Sequence, residues 1–200
     1  MTAAIKPRTM KMALVGDINV GKTSLARMFI DGTFQARYQA SVGLHFHTKT
    51  LRDPSVTIQL WDTAGTERYR SLLPHYTRDA VCAVLVYDIS SRDSFDNVRS
   101  YWLDFVESHA IPNMVKFLVG NKADVDTREV SDYEAQMFAT NHDTFFMETS
   151  AKFGTNVDNL FTEAAKAVIK AIPETQFENG GIRLEDLHRK HDRRCCLAHA

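Results

Sequence analysis

Residues 16–23 read Gly16-Asp17-Ile18-Asn19-Val20-Gly21-Lys22-Thr23, which fits G-x-x-x-x-G-K-[ST]. They stand between an apolar run, Met10 to Val15, and a helical pattern, Thr23 to Ile30. Nothing else in the chain constrains its fold as tightly. Glycines let the backbone curl until successive N–H groups point inward, and the helix that follows brings the positive end of its dipole to the same place. Such a loop suits an anion, and a phosphate chain in particular. Lys22 would reach the β- and γ-phosphates, and the Thr23 hydroxyl would ligate Mg2+. The phosphate-binding set comprises Asp17, Ile18, Asn19, Val20, Gly21, Lys22, Thr23 and Ser24.

The rest of the chain alternates strand and helix patterns. Val42 to Leu51 and Ser55 to Leu60 read as two strands around the turn Arg52-Asp53-Pro54. Val81 to Tyr87 is a nearly continuous apolar run, as a buried parallel strand requires, and Met114 to Val119 is another. Ser91 to Ser108 reads as one helix with Phe95, Val98, Trp102 and Phe105 near one face. Trp102 at that spacing reads as core. Ser131-Asp132-Tyr133-Glu134 is a capping box opening a helix, Phe145 to Met147 a short strand, and Val157 to Ile172 the last helix. This order predicts an α/β fold of the P-loop NTPase kind. Its six-stranded sheet is mostly parallel, with one antiparallel edge strand and helices on both faces.

Pro173 ends the helical pattern, and the polar stretch after it, with Gly180-Gly181, reads as a tail. The expected division is an N-terminal extension at 1–8, a nucleotide-binding domain at 9–172 and a tail at 173–200. With 44% hydrophobic and 24% charged residues, the chain can bury a core. A formal charge of -1 exerts no general pull on nucleic acid, which is not expected as a partner. No apolar stretch reaches the roughly 18 residues of a membrane span, and Met1 to Met12 lack the apolar core of a secretory signal. Thr2 excludes the N-myristoylation pattern.

A phosphate loop leaves ATPases, kinases and GTPases all open. Asn121-Lys122-Ala123-Asp124, after the strand Met114 to Val119, discriminates among them. The Asp124 carboxylate can accept from N1–H and the exocyclic amine of guanine. Adenine has no such donor pair and would set an acceptor against it, a costly mismatch in a buried site. Ser150-Ala151-Lys152 follows another strand, where a backbone N–H can meet guanine O6 and the Lys152 stem can lie beside the base. Asp62, in Trp61-Asp62-Thr63-Ala64-Gly65, ends an apolar strand and suits Mg2+ held through water, while the Gly65 N–H can approach a γ-phosphate.

These motifs, in this order, resemble the Ras superfamily and, within it, the Rab family of small GTPases, over about residues 8 to 172. The resemblance implies a GTP/GDP switch in vesicle traffic, with Mg2+ as cofactor. Phe34 matches the aromatic residue that stacks on guanine, and Phe46, Trp61 and Tyr76 match the aromatic triad read by effectors. The implied partners are effectors, an exchange factor, an activating protein and the escort and GDP-dissociation machinery. The implied place is the cytoplasmic face of endosomal or Golgi membranes, with a cytosolic pool.

Departures from the family pattern sharpen the expectation. Thr66 stands where the family has the glutamine that orients the attacking water, and it is too short and too branched for that task. Ile18 places a branched side chain near the γ-phosphate. Both predict slow hydrolysis with binding kept, in a catalytic set of Lys22, Ser41, Gly65 and Thr66. The rival readings are a GTP-binding scaffold with little hydrolysis and, against Asn121 to Asp124, a P-loop kinase. Ser41 replaces the switch threonine and keeps the hydroxyl that would join Thr23 and Asp62 on Mg2+. Asp79 takes the place of a usual glycine. Of the three cysteines, Cys82 reads as a buried strand residue, while Cys195-Cys196 resembles the double-cysteine Rab terminus that is geranylgeranylated. Arg189, Lys190, Arg193 and Arg194 add attraction to anionic lipid. His45 and His47 alternate on one strand and share a face, which reads as a solvated surface before a metal site.

Overall fold

The computed structural model describes residues 8–36, 44–63 and 77–172. The extension before residue 8, Ser41, the segment with Gly65, Thr66 and Tyr76, and the tail with Cys195 and Cys196 lie outside these residues. Strands β1 (Arg8–Val15), β2 (Leu44–Leu51), β3 (Val56–Thr63), β4 (Cys82–Asp88), β5 (Val115–Asn121) and β6 (Phe145–Glu148) form one sheet in the order β2-β3-β1-β4-β5-β6. All neighbours pair in parallel except β2 and β3, whose antiparallel register runs from Leu44↔Thr63 to Leu51↔Val56. The mostly parallel six-stranded sheet with one antiparallel edge strand is therefore present.

Both faces of the sheet are covered because its central strands are apolar on both faces. In β4 every residue is buried: Cys82, Val84 and Val86 join one core, Ala83, Leu85 and Tyr87 the other. The first core takes Leu25, Ala26 and Phe29 from α1 (Lys22–Asp31) and Leu160, Phe161 and Val168 from α5 (Val157–Ala171). On the opposite face lie α2 (Arg92–Asn97), α3 (Leu103–Ser108) and α4 (Asp132–Asn141), through Phe95, Val106, Ala135 and Ala139.

Strand order decides where a ligand can sit. The chain leaves β1 toward β3 but leaves β4 toward β5, so connections diverge at the carboxyl ends of β1 and β4. Divergence of this kind opens a crevice in α/β sheets. The phosphate loop follows β1 directly into that crevice.

Local structure departs from the sequence reading in several places. The expected single helix from Ser91 to Ser108 is α2 and α3 joined by a π-helical turn, Val98–Trp102. An added residue in that turn carries the apolar stripe one position further, so Val106 is fully buried and Phe105 only partly. The capping box at Ser131 is half made. Its hydroxyl accepts from the Glu134 N–H at 3.2 Å, but the Glu134 carboxylate takes a bidentate pair of bonds from Arg92 at 2.6 and 2.7 Å. A charged partner outcompetes the backbone N–H. Asp79 has φ +59°, the left-handed region that glycine favours and aspartate tolerates, which accounts for its standing in a glycine's place. Among the described residues no helix is long and apolar enough to cross a membrane.

The ring of fully buried Phe161 lies 4.1 Å, centroid to centroid, from that of Phe29 and joins the two helices on one face. Phe161→Ala is expected to cost about 3–5 kcal/mol of stability, read by urea denaturation at fixed nucleotide and Mg2+. A loss below about 1 kcal/mol would put α5 outside the cooperative core.

Candidate functional site

Two glycines shape the phosphate loop, each for a different steric reason. Gly16 has φ +139°, and a Cβ there would come within 2.2 Å of the Val86 carbonyl oxygen on β4. Gly21 has φ +99°, and a Cβ there would come within 2.2 Å of Asn121 Nδ2. The first contact is with the neighbouring strand, the second with a side chain of the base-recognition motif. Gly21 is also the N-cap of α1, with no side-chain cap and no acidic residue in the first turn. The helix thus presents uncapped N–H groups at its positive end.

Lys22 is the first residue of that helix and is buried. Its ammonium donates to the Gly16 carbonyl at 2.8 Å and the Asp17 carbonyl at 2.5 Å, and so closes the loop on itself. Burial pushes its pKa down to about 8 against the opposing pull of the Asp62 and Asp17 charges. Asp62, at the end of β3, is fully buried, and burial raises its pKa despite a hydrogen bond from Thr23 and the Lys22 charge nearby. The Thr23 hydroxyl donates to Asp62 Oδ2 at 2.6 Å, while Oδ1 has no hydrogen-bond partner among the described residues. A hydroxyl that donates to a carboxylate still has lone pairs to offer a cation. An unpaired buried carboxylate oxygen beside it, next to an anion cradle, fits a hard divalent cation that keeps much of its water. Thr23 and Asp62 therefore come together as the sequence predicts, and Ser41 lies outside the described residues.

Asn121 holds the site together. It is 1% exposed; its Nδ2 donates to the Val20 carbonyl at 2.8 Å, and its Oδ1 accepts from the Ala151 N–H and the Thr149 hydroxyl, each at 3.2 Å. Its carboxamide joins the phosphate loop to the loop that carries Ser150 and Lys152. Asp124 Oδ1 accepts from the Ser150 hydroxyl at 2.6 Å, and Oδ2 lies 3.6 Å from Lys152 Nζ. These contacts aim the carboxylate and leave it further lone pairs. The Ser150 N–H donates to the Thr155 carbonyl at 3.1 Å and the Ala151 N–H to Asn121 Oδ1 at 3.2 Å. Lys122, at φ +66°, sends its ammonium to Asp88 Oδ2 at 2.6 Å. The sequence reading missed Asp88, although it ends an apolar strand just as Asp62 does.

Asp17 makes its side-chain bonds outside the cradle. Its Oδ1 accepts from Trp102 Nε1 at 2.7 Å and its Oδ2 from Asn97 Nδ2 at 2.6 Å, so its side chain faces the helical segment rather than the phosphate cradle. Trp102 is core, as expected, but its indole N–H reaches the loop. Ile18, next to Asp17, is 47% exposed, and Phe34 is 39% exposed. Phe46 is exposed and meets the buried Trp61 edge-on, with ring centroids 5.5 Å apart. Below Trp61 lies Lys11 Nζ, 4.0 Å from the ring centre. The His45 and His47 rings stack at 6.5 Å, and no group of three or more His, Cys, Asp or Glu that could hold a metal occurs among the described residues.

Residues 11–170 match the Ras family. The Ras-related protein RABF2a of Arabidopsis thaliana is 42% identical over 166 residues, 82% of each chain. The Ras-related protein Rab5 of Nicotiana tabacum is 41% identical over 179 residues, 88% of each chain. Ras-related protein Rab5A of Oryza sativa subsp. japonica is 41% identical over 168 residues. With its phosphate loop, buried Lys22 and Asp62, and the Asp124 acceptor in place on this sheet, the chain belongs to the Ras family, as a small GTPase of the Rab type.

Proposed function

We propose that residues 9–172 bind GTP and GDP as a switch in vesicle traffic, between a short N-terminal extension and a C-terminal membrane-attachment tail. The observation that carries this reading is the setting of Asp124. Ser150 and Lys152 aim its carboxylate, and the Asn121 side chain ties that loop to the phosphate cradle. A carboxylate so held suits the paired donors of guanine. Phe34 would stack on the base, and Lys152 would cover it. Thr23, Ser41 and Asp62 would hold Mg2+, which when bound offsets the charge of the β- and γ-phosphates. Bound GTP would order the segments that carry Ser41 and Gly65, and effectors would read them together with Phe46, Trp61 and Tyr76. An exchange factor, an activating protein, and escort and GDP-dissociation proteins complete the set of partners.

The base assignment is tested by displacing labelled GDP from the full chain with GTP, ITP and ATP. Inosine keeps N1–H and O6 but lacks the exocyclic amine, so ITP is expected to compete about ten- to a hundredfold less well than GTP, with ATP weaker still. Equal competition by GTP and ITP would remove Asp124 from base recognition.

Hydrolysis is expected to be slow. Lys22, Ser41, Gly65 and Thr66 would face the γ-phosphate, yet Thr66 lacks the reach and the paired donor and acceptor that position water. The exposed Ile18 side chain would crowd the same region. The alternative, a scaffold that holds GTP and hardly turns it over, follows from the same two residues. In single-turnover hydrolysis of bound GTP, Thr66→Gln is expected to be about tenfold faster than the native chain. Fast native turnover without a partner would defeat both the slow-switch and the scaffold readings.

Cys195 and Cys196 are proposed to carry two isoprenoid chains, because one lipid gives marginal anchoring and two give stable attachment. The upstream basic residues add attraction to the cytoplasmic face of endosomal or Golgi membranes, with a cytosolic pool. Labelled isoprenoid should enter the native protein in cells, and should not enter a Cys195→Ser, Cys196→Ser variant. Incorporation unaffected by both changes would exclude this anchor.

A further inference from the structure

Asp17 places a negative charge inside a loop built to cradle a polyanion. Its charge is felt at Lys22, the ammonium that closes the same loop. Left free beside a phosphate chain, that carboxylate would oppose binding. Both of its oxygens are drawn the other way. Trp102 Nε1 donates to Oδ1 at 2.7 Å across 85 residues of chain, and Asn97 Nδ2 donates to Oδ2 at 2.6 Å across 80. The two donors flank the π-helical turn Val98–Trp102, with Asn97 at its N-cap and Trp102 its last residue. Trp102 is 2% exposed and packed in the second core with Phe95 and Val106, so its N–H has a fixed position. Turns of this kind occur mostly as single turns and recur at functional sites.

We propose that Asn97 and Trp102 are positioning residues for nucleotide binding, forming a strap that holds the Asp17 carboxylate off the phosphates. The inference rests on the guanine-nucleotide reading above and adds to it residues on the helical segment outside the motifs. Its action is electrostatic as well as mechanical. The strap pins the first turn of the loop from outside, leaves the Gly16 and Asp17 carbonyls to Lys22, and turns the carboxylate toward neutral donors that stabilise its charge. Cutting the strap should quicken nucleotide release, and removing the charge should then restore retention.

The test measures release of fluorescent GDP from the full chain at fixed Mg2+. Trp102→Phe keeps an aromatic ring and deletes the N–H; it is expected to speed release about three- to tenfold. Asn97→Ala, at an exposed position where no cavity forms, is expected to speed release about two- to threefold, and it carries the test if Trp102→Phe folds poorly. Adding Asp17→Asn to either variant should bring release back to within about twofold of native, a recovery that simple loss of packing does not produce. Ser100→Ala removes a hydroxyl of the same turn that bonds Asp96 and not Asp17, and it should release GDP at the native rate. Native release rates in both Asn97→Ala and a folded Trp102→Phe would overturn the strap, as would double variants no slower than the single ones. If the native chain binds GDP tightly in those cases, the nucleotide reading stands without the strap. A native chain that binds no guanine nucleotide overturns both.

Discussion

One carboxamide links the loops on which the site depends. Asn121 donates to the Val20 carbonyl across 101 residues of chain and accepts from Ala151 and Thr149. Without it, the phosphate cradle would lose this link to the base-reading loops, which Ser150 and Asp124 join to each other. With it, the spacing between an anion site and a planar-base site is set by the geometry of one buried side chain. A satisfied buried polar network makes this worthwhile, because each bond is stronger away from water and each lost bond is costly. The remaining residues of the pocket, Asp124 and Lys152 among them, take their places relative to that strut.

Lys22 and Asp62 show what such a site does to the fold that carries it. Burial disfavours the charge on each, and it prevails over their mutual attraction: the lysine pKa is lowered and the aspartate pKa raised. Phosphate at the one and a cation at the other would supply the missing opposite charges. A ligand bound to the folded state alone raises stability by mass action. In this chain folding and occupancy are thereby linked through two residues at the ends of neighbouring elements, with Thr23 bonded to one and adjacent to the other.

The sheet was legible because its central strands are apolar on both faces, so Val81 to Tyr87 announces its own burial. The phosphate loop was legible because glycine, lysine and threonine at fixed offsets have few other uses together. What local pattern did not disclose were partners distant in sequence. Glu134 completes a capping box on paper and pairs with Arg92 in space. Asp17 sits inside a binding motif and turns toward Trp102. Asn121 belongs to the base-recognition motif and also bonds the backbone of the phosphate loop. In each case a short polar side chain had a local role and a distant partner, and the distant bond won through charge or burial. Thr66, Ser41 and the paired cysteines are legible only as departures from, or likenesses to, a family pattern.

The contact between Gly21 and Asn121 also bears on how this sequence can drift. A methyl group at residue 21 would meet the Asn121 amide nitrogen at 2.2 Å, so any side chain there would displace the carboxamide. The amide in turn holds Ala151. Glycine at 21 is thereby tied to the asparagine a hundred residues on by a few ångströms of space. Residue 151 offers Asn121 only a backbone N–H, which any residue but proline carries, whereas a side chain at 21 has to displace the Asn121 carboxamide.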